Sequence, residues 1–196
     1  MKQKPIIALT GGPCGGKTTF MQELRAEDPH ADRWLMVPEV APLLFQAGLR
    51  AKEKCFQRSV VYLQIALEDS CVRVAKPGQV ILCHRRALDP LAYWLRSGWE
   101  EVQFFECVGK SREELLSRYK EVVHLQAVAV GAEEHYRRWP DAHRPEAVVE
   151  AAEMDRLCTV AWTGHKARVE VCNSGRDWIQ KSCVLRACLS HFEVAD

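Results

Sequence analysis

Apolar residues in this chain fall into two alternating patterns: short continuous runs, and longer stretches with helical spacing. Runs at residues 5–9 (PIIAL), 34–37 (WLMV), 79–83 (QVILC) and 121–127 (EVVHLQA) are too short for helices and predict strands. The nearly unbroken apolar character of 79–83 is expected of a central parallel strand buried on both faces. Between the runs, Phe20, Met21 and Leu24 predict a helix over 18–26 that Asp28-Pro29 stops. Residues 40–48 read as a helix, and Val61, Ile65, Leu67 and Val72 form the apolar stripe of another over 55–75, closed by Lys76-Pro77-Gly78. Asp89-Pro90 can cap a helix running through Trp94 and Leu95, and 111–119 contains a further helical stretch. A long helix over 145–163, a last strand over 166–172 and a helix over 176–189 complete the pattern.

Strands alternating with helices predict an α/β fold of three layers, with about five parallel strands, right-handed crossovers and helices on both faces. Ligands of such sheets sit at the carboxyl edge of the strands. At 196 residues the chain is long enough for one sizeable core, so residues 1–196 are expected to form a single domain. One segment breaks the pattern. Residues 131–146 are basic, carry Arg137, Arg138, His143 and Arg144, are interrupted by Pro140 and Pro145, and read as a lid.

Composition changes this picture little. The formal net charge of +1 argues against a general nucleic-acid binder. Nine cysteines lie without a C-x-x-C pair or zinc-finger spacing, and read as reduced small hydrophobes of a cytoplasmic protein. Neither a cleavable signal nor a run of membrane-spanning length is expected.

Candidate chemistry begins directly behind the first strand. Gly11-Gly12-Pro13-Cys14-Gly15-Gly16-Lys17-Thr18 is a complete G-x-x-x-x-G-K-[ST] loop, in the strand–loop–helix context that gives the motif its meaning. Glycines let successive backbone N–H groups turn toward an oxyanion, and the following helix adds its positive end. Gly12, Pro13, Cys14, Gly15, Gly16, Lys17, Thr18 and Thr19 are therefore the expected nucleotide-binding residues. Lys17 is expected to reach the β- and γ-phosphates, Thr18 to ligate Mg²⁺ and Thr19 to donate to the α-phosphate. ATP is the expected ligand, with GTP less favoured because no Asn-Lys-x-Asp sequence occurs.

Glu39, at the carboxyl end of the second strand, can take a proton from a substrate hydroxyl or orient metal-bound water; a solvated loop carboxylate is the simpler alternative. Arg85 and Arg86 place fixed positive charge near the loop, and a basic turn would do the same. Asp89 is equally a helix cap or a carboxylate for the metal. His84 and His165 can titrate, although a lone histidine is more often structural. Asn173 can hydrogen-bond an adenine edge, and the turn-forming Asn-Ser-Gly sequence explains it equally.

The motifs also resemble a particular family. Thr10 through Thr19 is similar to the opening of a small P-loop family, classified as an AAA domain, which groups the TRPL translocation defect proteins with the kinase domain of NadR-type nicotinamide-riboside enzymes. Val37-Pro38-Glu39, the stretch from Ala87 to Trp94, Gly131 through Tyr136, Ala161 through His165 and Asn173-Ser174 extend the resemblance along nearly the whole chain. It implies a kinase-like P-loop fold and favours functional roles for Glu39 and for Arg144, with Glu146 and Asp155 as lid partners. Related kinases end the third strand in Asp-Arg-Gly, where this chain has His84-Arg85-Arg86, and the Asp that often precedes Asn173 is Cys172 here.

The expected function is an ATP-dependent phosphotransferase using Mg²⁺, acting on an unknown small-molecule acceptor, with Lys17, Glu39, Arg85 and Arg144 catalytic and Thr18 and Glu39 at the metal. The rival is a nucleotide-dependent switch, on ATP or GTP, with little turnover; the TRPL-related branch of the resemblance links that reading to phosphoinositides.

Overall fold

In a computed structural model, residues 4–138, 147–173, 175 and 177–192 are described. Five strands, β1 (Ile6–Thr10), β2 (Trp34–Val37), β3 (Val80–His84), β4 (Glu121–Leu125) and β5 (Arg168–Val171), pair in parallel in the order β2-β3-β1-β4-β5. β1 therefore lies at the centre, and all five of its residues are buried. Its alternating side chains feed two cores. Ile6 and Ala8 join Ile81, Cys83 and Val122 on one face, while Ile7 and Leu9 join Leu82, Val123 and Leu125 on the other.

The first face is covered by α3 (Lys54–Val74), α4 (Asp89–Arg96), α5 (Glu101–Val108) and α8 (Val148–Ala161), through Val61, Trp94, Phe104 and Met154 among others. The second is covered by α1 (Lys17–Glu27) and α9 (Trp178–Leu189), through Phe20, Leu24, Leu185 and Leu189. Helices thus flank the parallel sheet on both sides, as the alternation of patterns predicts. Three short helices, α2 (Ala41–Gln46), α6 (Arg112–Ser117) and α7 (Glu133–Arg138), and two 3-10 turns, Ala31–Arg33 and Ser190–Phe192, complete the described elements.

Local sequence explains the helix ends. Ser111 accepts from the Glu114 amide while Glu114 reaches back to the Ser111 amide, and Asp177 and Gln180 form the same reciprocal cap on α9. Helix α5 falls in a stretch for which no element is expected from the apolar pattern. Only Phe104 and Val108 of its eight residues are buried, so its apolar stripe is a single i, i+4 pair. The expected lid at 131–146 falls only partly within view: its first half contains α7, and Arg144 and Glu146 lie outside the described residues, as do the side chains of Arg137 and Arg138. Among the described residues no helix is long and apolar enough to cross a membrane.

Candidate nucleotide site

β1 runs straight into the glycine loop, and the loop opens α1 at Lys17. Two glycines are dictated by geometry. Gly11 has φ 123°, and a Cβ there would sit 2.1 Å from the Leu125 carbonyl oxygen at the end of β4. Gly16 has φ 93°, and a Cβ there would sit 2.2 Å from the Trp178 ring of α9. No side chain caps the start of α1. Its first-turn N–H groups and the helix dipole are left facing the loop, which is the arrangement an anion requires.

Lys17 is buried and folds back over the loop, donating from Nζ to the Gly11 and Gly12 carbonyls at 2.8 and 2.7 Å. Burial, helped by the positive charge of Arg85, lowers its pKa to about 8. Polyphosphate would reverse that shift by offering the ammonium group a counter-charge. Thr18 and Thr19 are exposed at the mouth of the loop.

His84 ends β3 with Nε2 3.0 Å from Thr18 Oγ1 and Nδ1 3.7 Å from Glu39 Oε2. Burial, then the charges of Lys17, Arg85 and Arg86, push its pKa down to about 2, so the ring is neutral and the contact with Glu39 is not an ion pair. The imidazole stands between the two oxygen-bearing side chains expected to share a metal ion, bonded to Thr18 and facing Glu39. The donors converging here, a hydroxyl, an imidazole and a nearby carboxylate, fit a divalent cation delivered with phosphates. No group of three or more His, Cys, Asp or Glu among the described residues is arranged to hold a metal by itself.

Glu39 also lies 3.0 Å from Arg85 Nε. Arg85 has φ 63°, an uncommon conformation for a residue with a side chain, and its guanidinium packs over the Tyr93 ring. Its buried Nη1 has no hydrogen-bond partner. A buried guanidinium nitrogen lacking an acceptor, beside a phosphate loop, is suited to an anionic ligand. Arg86 is more deeply buried; it donates to the Arg85 carbonyl, and its Nε and Nη2 have no partner.

Three other expected residues are tied into the framework. Asp89 accepts from Thr10 Oγ1 at 2.6 Å, Trp162 Nε1 at 2.8 Å and the Arg86 amide at 3.0 Å. That set of bonds makes it a clamp between β1, α4 and α8. Asn173 donates from its amide to the carbonyls of Gln126, Ala127 and Val130 and accepts from Lys181 Nζ, so both ends of its side-chain amide are engaged by protein groups. His165 bonds the Tyr119 carbonyl beside the start of β1, at the opposite edge of the sheet.

Sequence reasoning placed Asp155 with the lid. It lies under the loop, where Oδ1 accepts from the Gly12 amide at 2.7 Å and the Ala127 amide at 3.0 Å, 3.2 Å from His124 Nε2. Burial raises its pKa, but the His124 contact and the two amides outweigh that and the net shift is downward. Its α8 neighbour Cys158 is buried as well, and burial pushes that thiol up to about 12, so it stays protonated.

Comparison with known proteins places this geometry. The model of the AAA domain family matches residues 6–178. No curated protein sequence matches the chain. Among solved structures, a crystal structure of NadR protein in complex with NR superposes with TM-score 0.67 at 14% identity, over 98% of this chain and 53% of that one. This chain therefore spans about half the length of that NadR protein. Thymidylate kinase from Candida albicans superposes with TM-score 0.67 at 14% identity, over 99% of this chain and 96% of the kinase. Likeness at that identity establishes the fold alone: a parallel sheet of the P-loop kinase type. With the family match covering most of the length, the chain belongs to the AAA domain family, and its fold is that of the P-loop kinases.

Proposed function

We propose that the chain binds a nucleoside triphosphate with a divalent cation and transfers its terminal phosphoryl group to a small-molecule acceptor. The observation that carries this reading is the largely buried Arg85 guanidinium, whose inaccessible Nη1 lacks an acceptor, beside a phosphate loop whose lysine is held in reserve on two carbonyls. A fixed cation at that place suits a transferring phosphoryl group, whose charge spreads over its outer oxygens. Lys17 would leave the Gly11 and Gly12 carbonyls to meet the β- and γ-phosphates. The Thr18 hydroxyl would hold the metal, which when bound neutralises the phosphate oxygens. Glu39, half-exposed and held by Arg85, would accept the proton of an acceptor hydroxyl. ATP is favoured over GTP by the missing guanine-reading sequence. Arg144 would supply further charge from the basic segment.

A second reading has its own observation. His84 supplies no negative charge at the metal, which favours a nucleotide-dependent switch with slow turnover. One experiment separates the two: ADP release measured across a panel of nucleosides, sugars and other hydroxyl-bearing metabolites. Acceptor-dependent release that disappears in Lys17→Ala supports transfer. Tight binding without release for any acceptor supports the switch, and no binding of ATP or GTP overturns both.

A further inference from the structure

Resting on the nucleotide-binding reading above, we infer that the cation bound with the nucleotide is Mn²⁺ in preference to Mg²⁺, selected by direct ligation through His84 Nε2. The argument starts from the spacing of two side chains. Thr18 Oγ1 and His84 Nε2 stand 3.0 Å apart. Adjacent ligands of an octahedral ion with bonds of about 2.1 Å are also about 3.0 Å apart, so both atoms can bind one ion without changing their separation.

The ring is also poised in the right sense. Nδ1 is buried without a hydrogen-bond partner and faces the Glu39 carboxylate at 3.7 Å. A proton on Nδ1 frees the Nε2 lone pair for a metal, and a small approach by Glu39 would complete the carboxylate–histidine pairing that typically orients metal-binding imidazoles. Glu39 is then a positioning residue for the ion as well as a base for the acceptor.

The ligand type separates Mn²⁺ from Mg²⁺. Mg²⁺ takes oxygen donors and gives up its waters reluctantly, whereas Mn²⁺ also accepts oxygen-rich sites but tolerates an imidazole nitrogen more readily. Lys17, Arg85 and Arg86 are close enough to affect His84 electrostatically, so a bare cation is repelled. The ion is therefore bound only together with phosphates, in keeping with the lack of any self-sufficient metal cluster among the described residues.

The test uses the whole chain stripped of divalent ions and a nonhydrolysable ATP analogue. Calorimetry with saturating Mn²⁺ is expected to give binding about tenfold tighter than with saturating Mg²⁺. Pulsed electron paramagnetic resonance of the Mn²⁺ complex is expected to show coupling to a directly bound nitrogen that changes when the protein carries ¹⁵N-histidine. In His84→Asp the coupling disappears and Mg²⁺ becomes at least as good as Mn²⁺. Equal or tighter binding with Mg²⁺ in the unmodified protein, or a Mn²⁺ spectrum indifferent to histidine labelling, overturns the inference while leaving nucleotide binding intact. Absence of analogue binding with either ion overturns both. The labelling measurement needs no variant, so a poorly folded His84→Asp does not blunt the test.

Discussion

Replacing Asp155 by alanine removes a single carboxylate oxygen on which two distant backbone segments converge. The Gly12 amide at 2.7 Å and the Ala127 amide at 3.0 Å both donate to it, and all three residues are buried. Packing leaves little room for repair, because even a Cβ on Gly12 would come within 2.8 Å of the Asp155 Cβ. Each buried amide left without an acceptor costs about 1–3 kcal/mol, so the pair gives roughly 2–6 kcal/mol with about 4 as the central expectation. For a chain of this length Tm falls about 2–4 °C per kcal/mol, which puts the loss at about 8–16 °C. Asp155→Asn keeps an oxygen in place and gives up only the charge, so its cost is about 1–2 kcal/mol. The pair of variants is compared by urea titration followed through tryptophan fluorescence, with ATP affinity measured in parallel. Because Gly12 belongs to the loop, alanine weakens ATP binding and asparagine largely preserves it. A loss below 1 kcal/mol in Asp155→Ala, or equal damage from both substitutions, would refute the reasoning. The pH dependence has a definite sign. Since the folded carboxyl is held below its ordinary value, its contribution is complete above about pH 4 and is lost as pH falls through the lower folded value.

Two further outcomes are expected. Lys17 has a pKa of about 8 in the nucleotide-free protein, so phosphate binding at pH 8.5 should take up most of one proton; calorimetry in buffers of different ionisation enthalpy reads this directly, and zero uptake would contradict the buried, folded-back lysine. Gly16→Ala drives a methyl group into the Trp178 ring at a backbone conformation that L-residues avoid, so ATP affinity should fall by about tenfold or more while the α1 core stays folded; circular dichroism with a binding isotherm checks both.

Much of the architecture was legible because it rests on local regularities. Continuous apolar runs mark strands covered on both sides, and the glycine loop marks the passage from β1 into α1. Helix α5 escaped because Phe104 and Val108 alone carry its buried stripe, and Val102 in the same helix is 67% exposed. The carboxylate under the loop escaped for a different reason. Asp155 and Gly12 are 143 residues apart, and a buried hydrogen bond between distant segments leaves no period in the chain. Its charge reads as an ordinary helix face until α8 is docked. Asn173 shows the converse. Its place just beyond the last strand was legible, but the three carbonyls that occupy its amide belong to the loop after β4. The imidazole at position 84 was visible as a departure from related kinases, whereas its place between Thr18 and Glu39 needed the sheet edge to be assembled.

Arg85 holds its backbone at φ 63°, where glycine would rest more comfortably by about 1 kcal/mol. Replacing it with glycine would relieve that strain but give up the Glu39 ion pair and the packing on Tyr93, so endurance to heat gains little while the fixed cation beside the loop is lost. A library meant to yield robust yet working variants should keep that codon fixed and seek its gains elsewhere.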